Sequence, residues 1–269
     1  MDIKEISTLP QVMARIMEII TDESSSASDL ASEIAKDKSL TAKILKMVNS
    51  AYYGFYREIV KVSDAVVVLG FNEIRRLSLA ISVLDMFGGS SQAEHRVRLW
   101  NHSLTCAAMS DILVKEWRMG DKGAFTAGLL HDTGKAVLDQ YFPSMFSAVQ
   151  ACMREQSLSA HEAERMLFGF DHGDIGFWLF DRWSFPITLS KAIQYHHRVE
   201  AAQEAADMAR LVHVADRLAN EFVVLKSAGV PMTGVSWEEG EEPSFEEKVS
   251  LLLELEKRMR STASATMFL

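Results

Sequence analysis

The histidines of this chain have the type and spacing of metal ligands. All eight lie at or after His95, so the first 94 residues contain none. Two aspartates stand close to them, Asp132 directly after His131 and Asp216 three residues after His213. Imidazole and carboxylate groups together suit zinc, iron, manganese and related ions. Side chains that converge from several helices would form such a centre, and the candidate histidines are His102, His131, His172, His196, His197 and His213.

Each of these residues also has an ordinary structural interpretation. A single helical histidine is more often a hydrogen-bonded core or surface residue than a ligand. His131 and Asp132 in "GLLHDTGK" could cap a helix that breaks near Gly134. His196 and His197 could simply end a helix, where the macrodipole favours positive charge. Taken one at a time, the residues leave both interpretations open, and His213 fits either a packed position or a hydrogen bond to a ligand.

Helical periodicity dominates the segments that must position these side chains. In "LPQVMARIMEIITD" the apolar residues fall on one face, and "DLASEIAKDKSLTAKILKMVNSAYYG" predicts two short helices, the second with Ser39 as its N-cap. The β-branched run 65–69 is short and favours a buried helix over a strand. Later segments predict helices at 100–117, 123–141, 146–156, 161–168, 171–183, 187–197, 205–227 and 245–260. Because strand signals are almost absent, we expect an all-α fold.

Two polar stretches divide the chain. "GGSSQAEH", residues 88–95, marks a loop between an N-terminal helical lobe, residues 1–90, and a second lobe, residues 91–269. The acidic stretch 229–244 separates the main body of the second lobe from a C-terminal extension. The sequence therefore predicts two helical lobes, with every histidine in the second.

Composition excludes several classes of protein. The chain has 269 residues, a formal net charge of −9 and only two cysteines. No apolar run reaches the roughly 18 residues of a membrane span, and the two cysteines form no CxxC pattern. We therefore expect a cytoplasmic protein without a membrane association. The acidic balance argues against nucleic acid as the main partner, although residues 31–51 have a helix–turn–helix cadence.

The order of the ligand types resembles the HD superfamily of metal-dependent phosphohydrolases. That signature is a histidine, an His-Asp doublet and a distant aspartate, which correspond here to "LWNHSLTCA", "GLLHDTGK" and "HVADRLAN". More closely, residues 7–225 resemble an HDOD-domain protein, from "LPQVMARIMEII" through "VSDAVVVLGFNEIRRLSLAISV" to "DHGDIGFWLFDRWSFPITLSKAIQYHH". The resemblance implies a bacterial signal-transduction protein with a two-lobed all-α fold and an HD-like C-terminal lobe.

The resemblance also implies a ligand set. Many HDOD domains have lost the HD ligands, but this chain keeps all four positions. Three further histidines resemble those that build binuclear centres in HD-GYP cyclic-dinucleotide phosphodiesterases, and Lys135 matches the lysine near the substrate phosphate. The His pair is followed by "HHRVEAA", without the GYP segment. The implied metal ligands are His102, His131, Asp132, His172, His196, His197 and Asp216.

The implied chemistry is hydrolysis of a phosphate ester. One or two divalent ions of iron, manganese or zinc would be held by these ligands, with Asp132 as the bridging and catalytic carboxylate and Lys135 beside the phosphate. A phosphate-ester or nucleotide ligand and a signalling protein are the expected partners. The alternative is a non-catalytic regulatory module with a structural or vestigial metal site. DNA binding through the N-terminal helix pair is a weaker third possibility.

Overall fold

A computed structural model describes residues 14–16, 18–19, 25–49, 53–86, 93–120, 123–228 and 250–255. Within these ranges the regular structure is helical, without a strand, which confirms the all-α prediction. Contacts between Cα atoms divide the described residues into two compact units, one up to Met86 and the other from Ala93 to Leu255. Of the helix predicted at 245–260, residues 250–255 are helical, and the remainder lies outside the described residues.

Among the residues that the structure describes up to Met86, four helices with defined bounds pack around a small apolar core, and residues 14–16 and 18–19 are also helical. Leu30, Ile34, Ile44, Ile74 and Leu77 are fully buried there. The helices pack against one another in the pairs α1–α3, α2–α4 and α3–α4. Their bounds are α1 Ala27–Lys36, α2 Lys38–Val48, α3 Val62–Leu69 and α4 Phe71–Met86.

The starts of α1 and α2 are fixed by side-chain caps. Ser26 and Asp29 form a reciprocal capping box at α1. At α2 the cap is Asp37, whose Oδ1 accepts hydrogen bonds from the backbone N–H groups of Ser39 and Leu40 at 2.8 and 3.0 Å. The prediction of Ser39 as the cap is therefore wrong, because a carboxylate two residues earlier already satisfies the free N–H groups. The β-branched run 65–69 lies in α3 and is helical, as predicted. The prediction that this helix is buried is wrong for Val67 and Val68, which are 84% and 52% exposed.

The second unit packs its helices in pairs that bring distant parts of the sequence together. The long helices α5 and α12 lie against each other, and α12 also contacts α6 and α11. Helix α10 packs on both α7 and α11. The bounds are α5 Ala93–Glu116, α6 Ala124–Leu130, α7 Thr133–Tyr141, α8 Pro143–Gln156, α9 Ala160–Phe168, α10 His172–Arg182, α11 Ile187–Tyr195 and α12 Ala206–Ala228.

Two 3-10 turns, Val199–Ala201 and Gln203–Ala205, connect α11 to α12. Three small residues pack together in this connection and at the start of α12, where Ala202, Ala205 and Ala209 form a buried cluster. This tight connection holds the chain that follows α11 close to the start of α12. None of the helices among the described residues combines the length and the apolar character that a bilayer crossing needs.

Candidate metal centre

The structure brings the predicted ligands together from five places in the second unit. His102 lies within α5, His131 and Asp132 between α6 and α7, and His172 at the first position of α10. The His pair directly follows α11, and Asp216 lies in α12. Three groups of these side chains have ligand atoms within 4.8 Å of one another: His102, His131 and Asp216; His131, Asp132 and His196; and His172, His196 and His197.

The His-Asp doublet occupies a break between two helices. Helix α6 ends at Leu130 and α7 begins at Thr133, so the single helix predicted over 123–141 is wrong at this point. Asp132 has φ −95° and ψ 9°, in the sparsely populated bridge region where many active-site residues lie. Thr133 Oγ1 donates to the Leu130 carbonyl at 2.8 Å and stabilises the turn. The break directs two successive side chains toward one cluster of ligand atoms, whereas successive side chains on a continuous helix point in different directions.

Three glycines permit the close helix contacts around the centre. A Cβ on Gly128 would lie 2.4 Å from Ser110 Oγ, and one on Gly134 would lie 2.0 Å from the His172 carbonyl oxygen. At Gly173 a Cβ would lie 2.6 Å from the Gln194 carbonyl oxygen. Each glycine is within three residues of a candidate ligand, so the helices can approach closely where their ligands must meet.

His102, His131 and Asp216 form the carboxylate half of the centre. His102 Nε2 lies 2.9 Å from Asp216 Oδ1 and 3.3 Å from His131 Nε2. His131 Nδ1 is 2.7 Å from the Gly128 carbonyl oxygen. Because a carbonyl oxygen only accepts, Nδ1 carries the proton and Nε2 faces the cluster. Asn220 Nδ2 donates to Asp216 Oδ1 at 2.9 Å and orients that carboxylate.

His172, His196 and His197 form the all-histidine half. The Nε2 atoms of His172 and His197 lie 3.1 Å apart. His196 Nδ1 donates to the Ile193 carbonyl at 2.6 Å, and His196 Nε2 is buried without a hydrogen-bond partner. His213, which the sequence left open, donates from Nδ1 to the His196 carbonyl at 2.7 Å and so supports the backbone at the His pair.

Asp132 lies between the two halves, with one oxygen toward each. Its Oδ2 is 3.4 Å from His131 Nε2 and accepts a hydrogen bond from Lys135 Nζ at 2.8 Å. Its Oδ1 is 3.2 Å from His172 Nε2 but forms no hydrogen bond. The side chain is only 2% exposed. A carboxylate in this position can bridge two cations.

Two neighbours of the all-histidine half were missed by the sequence reasoning. Glu164 is buried, and its Oε2 lies 2.7 Å from His172 Nδ1. The ring of His161, to which the sequence assigned no role, stacks on His197 with centroids 4.2 Å apart and planes inclined by 13°. Their spacing of three residues places both on one face of α9, but the sequence does not indicate that this face lies against the all-histidine half.

An ion-pair network joins the start of α10 to the chain after the His pair. Asp171 caps α10 in a reciprocal box with Asp174. Arg165 Nη1 lies 2.9 Å from Asp171 Oδ2, and Arg198 Nη2 lies 2.8 Å from Asp174 Oδ1. Gln194 Nε2 also donates to Asp174 Oδ1 at 3.0 Å. The network therefore ties His172 to the two histidines that face it.

The buried charges shift the pKa values of the cluster in opposite directions. Burial disfavours charge on Asp132, but the neighbouring His131 and Lys135 outweigh it and hold the pKa of Asp132 well below its usual range. Burial likewise disfavours the His131 cation, yet the Asp132 carboxylate raises the pKa of His131 well above its ordinary value. Burial and the charges of His131 and His172 lower the pKa of His196 well below the usual value. His196 is therefore neutral at physiological pH.

The donor set fits divalent transition metals. It consists of imidazole nitrogens and carboxylate oxygens, the mixture that iron, manganese and zinc accept. Buried polar atoms normally have partners, and those that lack one often mark an ion site. Here His196 Nε2 and Asp132 Oδ1 are buried and lack hydrogen bonds. Both residues belong to the triad with His131, and His196 also belongs to the triad with His172 and His197. A cation would satisfy both atoms.

Known proteins resemble the chain in sequence and in fold. The sequence model of the HDOD domain matches residues 6–199. An uncharacterized protein of Treponema pallidum is 26% identical over 206 residues, which are 75% of this chain and 39% of that protein. The chain thus spans about two-fifths of the length of this curated relative.

Solved structures extend the likeness to nearly the whole chain. An HDOD domain protein of unknown function from Geobacter sulfurreducens has a TM-score of 0.75 and 26% identity, over 96% of this chain and 91% of that chain. A Shewanella amazonensis protein proposed to be a phosphohydrolase has a TM-score of 0.78 and 21% identity, over 98% and 96%. At that identity, the second likeness concerns the fold alone.

Proposed function

The chain belongs to the HDOD-domain family, and on that premise we propose that it is a signal-transduction protein that binds one or two divalent transition-metal ions and hydrolyses a phosphate ester. The ligands of the ions are His102, His131, Asp132, His172, His196, His197 and Asp216. The observation that carries the proposal is the convergence of these donors, with Asp132 and His196 presenting buried atoms that lack a hydrogen bond.

The protein side of the reaction follows from the positions of the side chains. Divalent ions of this type supply Lewis acidity, which lowers the pKa of water from 15.7 to about 7 in favourable cases and offsets phosphoryl charge. Asp132 holds the two halves together, and its pairing with Lys135 keeps that ammonium group at the centre. Lys135 is 22% exposed and can donate to a phosphoryl oxygen.

Metal content tests the binding part of the proposal. Protein purified without chelator is analysed for bound iron, manganese and zinc, beside His131→Ala prepared in parallel. We expect one or two ions per chain in the wild type and fewer in the variant. A wild-type content below about 0.2 ion per chain would contradict metal binding, because a buried site of this donor type holds its ion through purification.

Turnover tests the catalytic part. Metal-loaded protein is incubated with cyclic dinucleotides, nucleotides and a generic phosphodiester. We expect hydrolysis that disappears in Asp132→Ala and persists in Glu200→Ala, which removes an exposed carboxylate. Stoichiometric metal without turnover across the panel would instead support a non-catalytic regulatory module, whose N-terminal lobe contacts a signalling protein.

A further inference from the structure

A buried carboxylate lies behind the all-histidine half. Glu164 belongs to α9, a helix that carries none of the seven candidate ligands, and it is 2% exposed. Its Oε2 lies 2.7 Å from the backbone nitrogen of His172 and 2.7 Å from His172 Nδ1. The ionised carboxylate only accepts, so both groups of His172 donate to it. One oxygen thereby fixes the first turn of α10 and the orientation of the imidazole ring.

This support differs from that of the neighbouring rings. His131 and His196 donate from Nδ1 to the backbone carbonyls of Gly128 and Ile193, at 2.7 and 2.6 Å. Those acceptors are amide carbonyl oxygens, whereas the acceptor on Glu164 is a carboxylate oxygen. Hydrogen bonding of a ligating imidazole to a carboxylate fixes its tautomer and raises its basicity as a ligand. His172 is therefore a stronger donor through Nε2 than a carbonyl-bonded histidine.

The two halves of the centre also differ in charge. The carboxylate half contains Asp216, while the three side chains of the all-histidine half are all imidazoles. A divalent ion held by those imidazoles would have Asp132 as its nearby carboxylate, since Asp132 Oδ1 lies 3.2 Å from His172 Nε2. Glu164 adds a second carboxylate to this half and acts on it through the hydrogen bond to the His172 ring. The donor arrangement thus compensates for the missing carboxylate from outside the ligand set.

We propose that Glu164 is a positioning residue that sets the metal affinity of the all-histidine half by acting through His172. The inference rests on the proposed metal binding and adds a residue that acts on the all-histidine half. Glu164 is not one of the candidate ligands, and its Oε2 contacts the backbone nitrogen and Nδ1 of His172. Its charge and its two hydrogen bonds determine how strongly Nε2 of His172 binds.

Titration with Co²⁺ tests the inference, because the visible absorption of the bound ion reports its ligand environment. Metal-free protein is titrated with Co²⁺, and the amount of bound cobalt is measured by elemental analysis. Glu164→Gln keeps an acceptor oxygen and the side-chain volume but removes the charge. We expect one class of bound Co²⁺ to weaken by about 10–100-fold, the usual effect of losing such a partner, with any other class unchanged. Glu162→Gln, on the exposed face of the same helix, is the matched control.

A double-mutant cycle separates action through His172 from a general structural effect. In a His172→Gln background, Glu164→Gln should no longer change Co²⁺ affinity. Equal Co²⁺ isotherms for the wild type and Glu164→Gln, or an effect that persists without His172, would overturn the inference.

The failure of this inference is distinguishable from failure of the proposed function. A wild-type chain that binds no Co²⁺ rejects metal binding itself, and Glu164 loses its role with it. A wild-type chain that binds Co²⁺, together with an unaffected Glu164→Gln, rejects only the role of Glu164. Thermal melting of the metal-free variants reports whether each is folded before titration.

Discussion

Replacing Gly134 by alanine should loosen the contact between α7 and α10 and disturb the centre at the same time. The new Cβ would lie 2.0 Å from the carbonyl oxygen of His172, 2.7 Å from its carbonyl carbon and 2.8 Å from its Cα. All three are backbone atoms, so no rotamer change can relieve the overlap. Ordinary contact begins near 3.4 Å, and the two helices must separate by about 1.4 Å.

The expected loss of stability follows from two opposing contributions. Overpacking costs about 1–3 kcal/mol, and the upper part of that range, about 2–3 kcal/mol, applies here because the overlap is with backbone atoms, while alanine in place of glycine in a helix returns about 1 kcal/mol. We expect the free energy of unfolding to fall by a net of about 1–2 kcal/mol, which lowers Tm by about 2–8 °C for a unit of this size. The same movement pulls His172 Nε2 away from Asp132 Oδ1, now 3.2 Å distant, and should weaken metal binding by about tenfold or more.

Circular-dichroism melting of metal-free protein and Co²⁺ titration measure the two effects. The matched control is Gly120→Ala, because a Cβ at Gly120 would meet nothing within 4 Å. Gly134→Ala that melts with the control and binds Co²⁺ like the wild type would refute the close contact of α7 with α10. A loss of stability without a loss of affinity would refute the link between that contact and the ligand geometry.

Three further outcomes are expected. Removal of bound metal by a chelator should lower Tm, since a free metal concentration of a hundred times Kd stabilises the fold by about 2.7 kcal/mol. Equal melting temperatures with and without chelator would contradict occupancy of the site. Burial opposes charge on Asp174, but the hydrogen bonds from Gln194 and Asp171 and the charge of Arg198 lower the pKa of its carboxyl group. The ionised Asp174 therefore stabilises the folded chain above about pH 3.9, the pKa of an unfolded aspartate. This stabilisation is lost as the pH falls through the pKa of Asp174 in the folded chain. Metal-free Asp174→Asn should therefore melt below the wild type at pH 7 and converge with it in acid; a constant difference across pH would contradict this. Lys135→Gln should keep metal content and reduce phosphodiester turnover by about 10²-fold, whereas wild-type turnover would exclude Lys135 from the phosphate.

The fold class and the candidate ligand set could be predicted from the sequence for separate reasons. Apolar residues at helical spacing recur along the chain, and a helix buries one face wherever it packs, so the period alone gives an all-α fold. The candidate ligand set follows from the resemblance of the ligand order to the HD superfamily, since each residue taken alone also fits an ordinary structural role. The structure brings together His102, the doublet, the later histidines and Asp216 from separate helices.

The parts that could not be predicted depend on contacts between segments. Glu164 is one glutamate in an amphipathic helix, and only the packing of α9 beside the start of α10 reveals its bond to His172. The break at the doublet interrupts an apolar pattern that continues on both sides, so periodicity predicts one helix there. At α2, Asp37 and Ser39 are both good caps by type, and local backbone geometry selects the aspartate.

The order of the ligands along the chain determines when each half of the centre can form during synthesis. His172, His196 and His197 precede Asp216, which is nineteen residues beyond the His pair. At roughly 5–20 residues per second, the ribosome completes the all-histidine half about 1–4 s before it adds the last carboxylate. His102 is synthesised 114 positions before Asp216, the carboxylate that it contacts in the folded chain. The three histidines of one half therefore leave the ribosome ahead of α12, which carries the carboxylate of the other half.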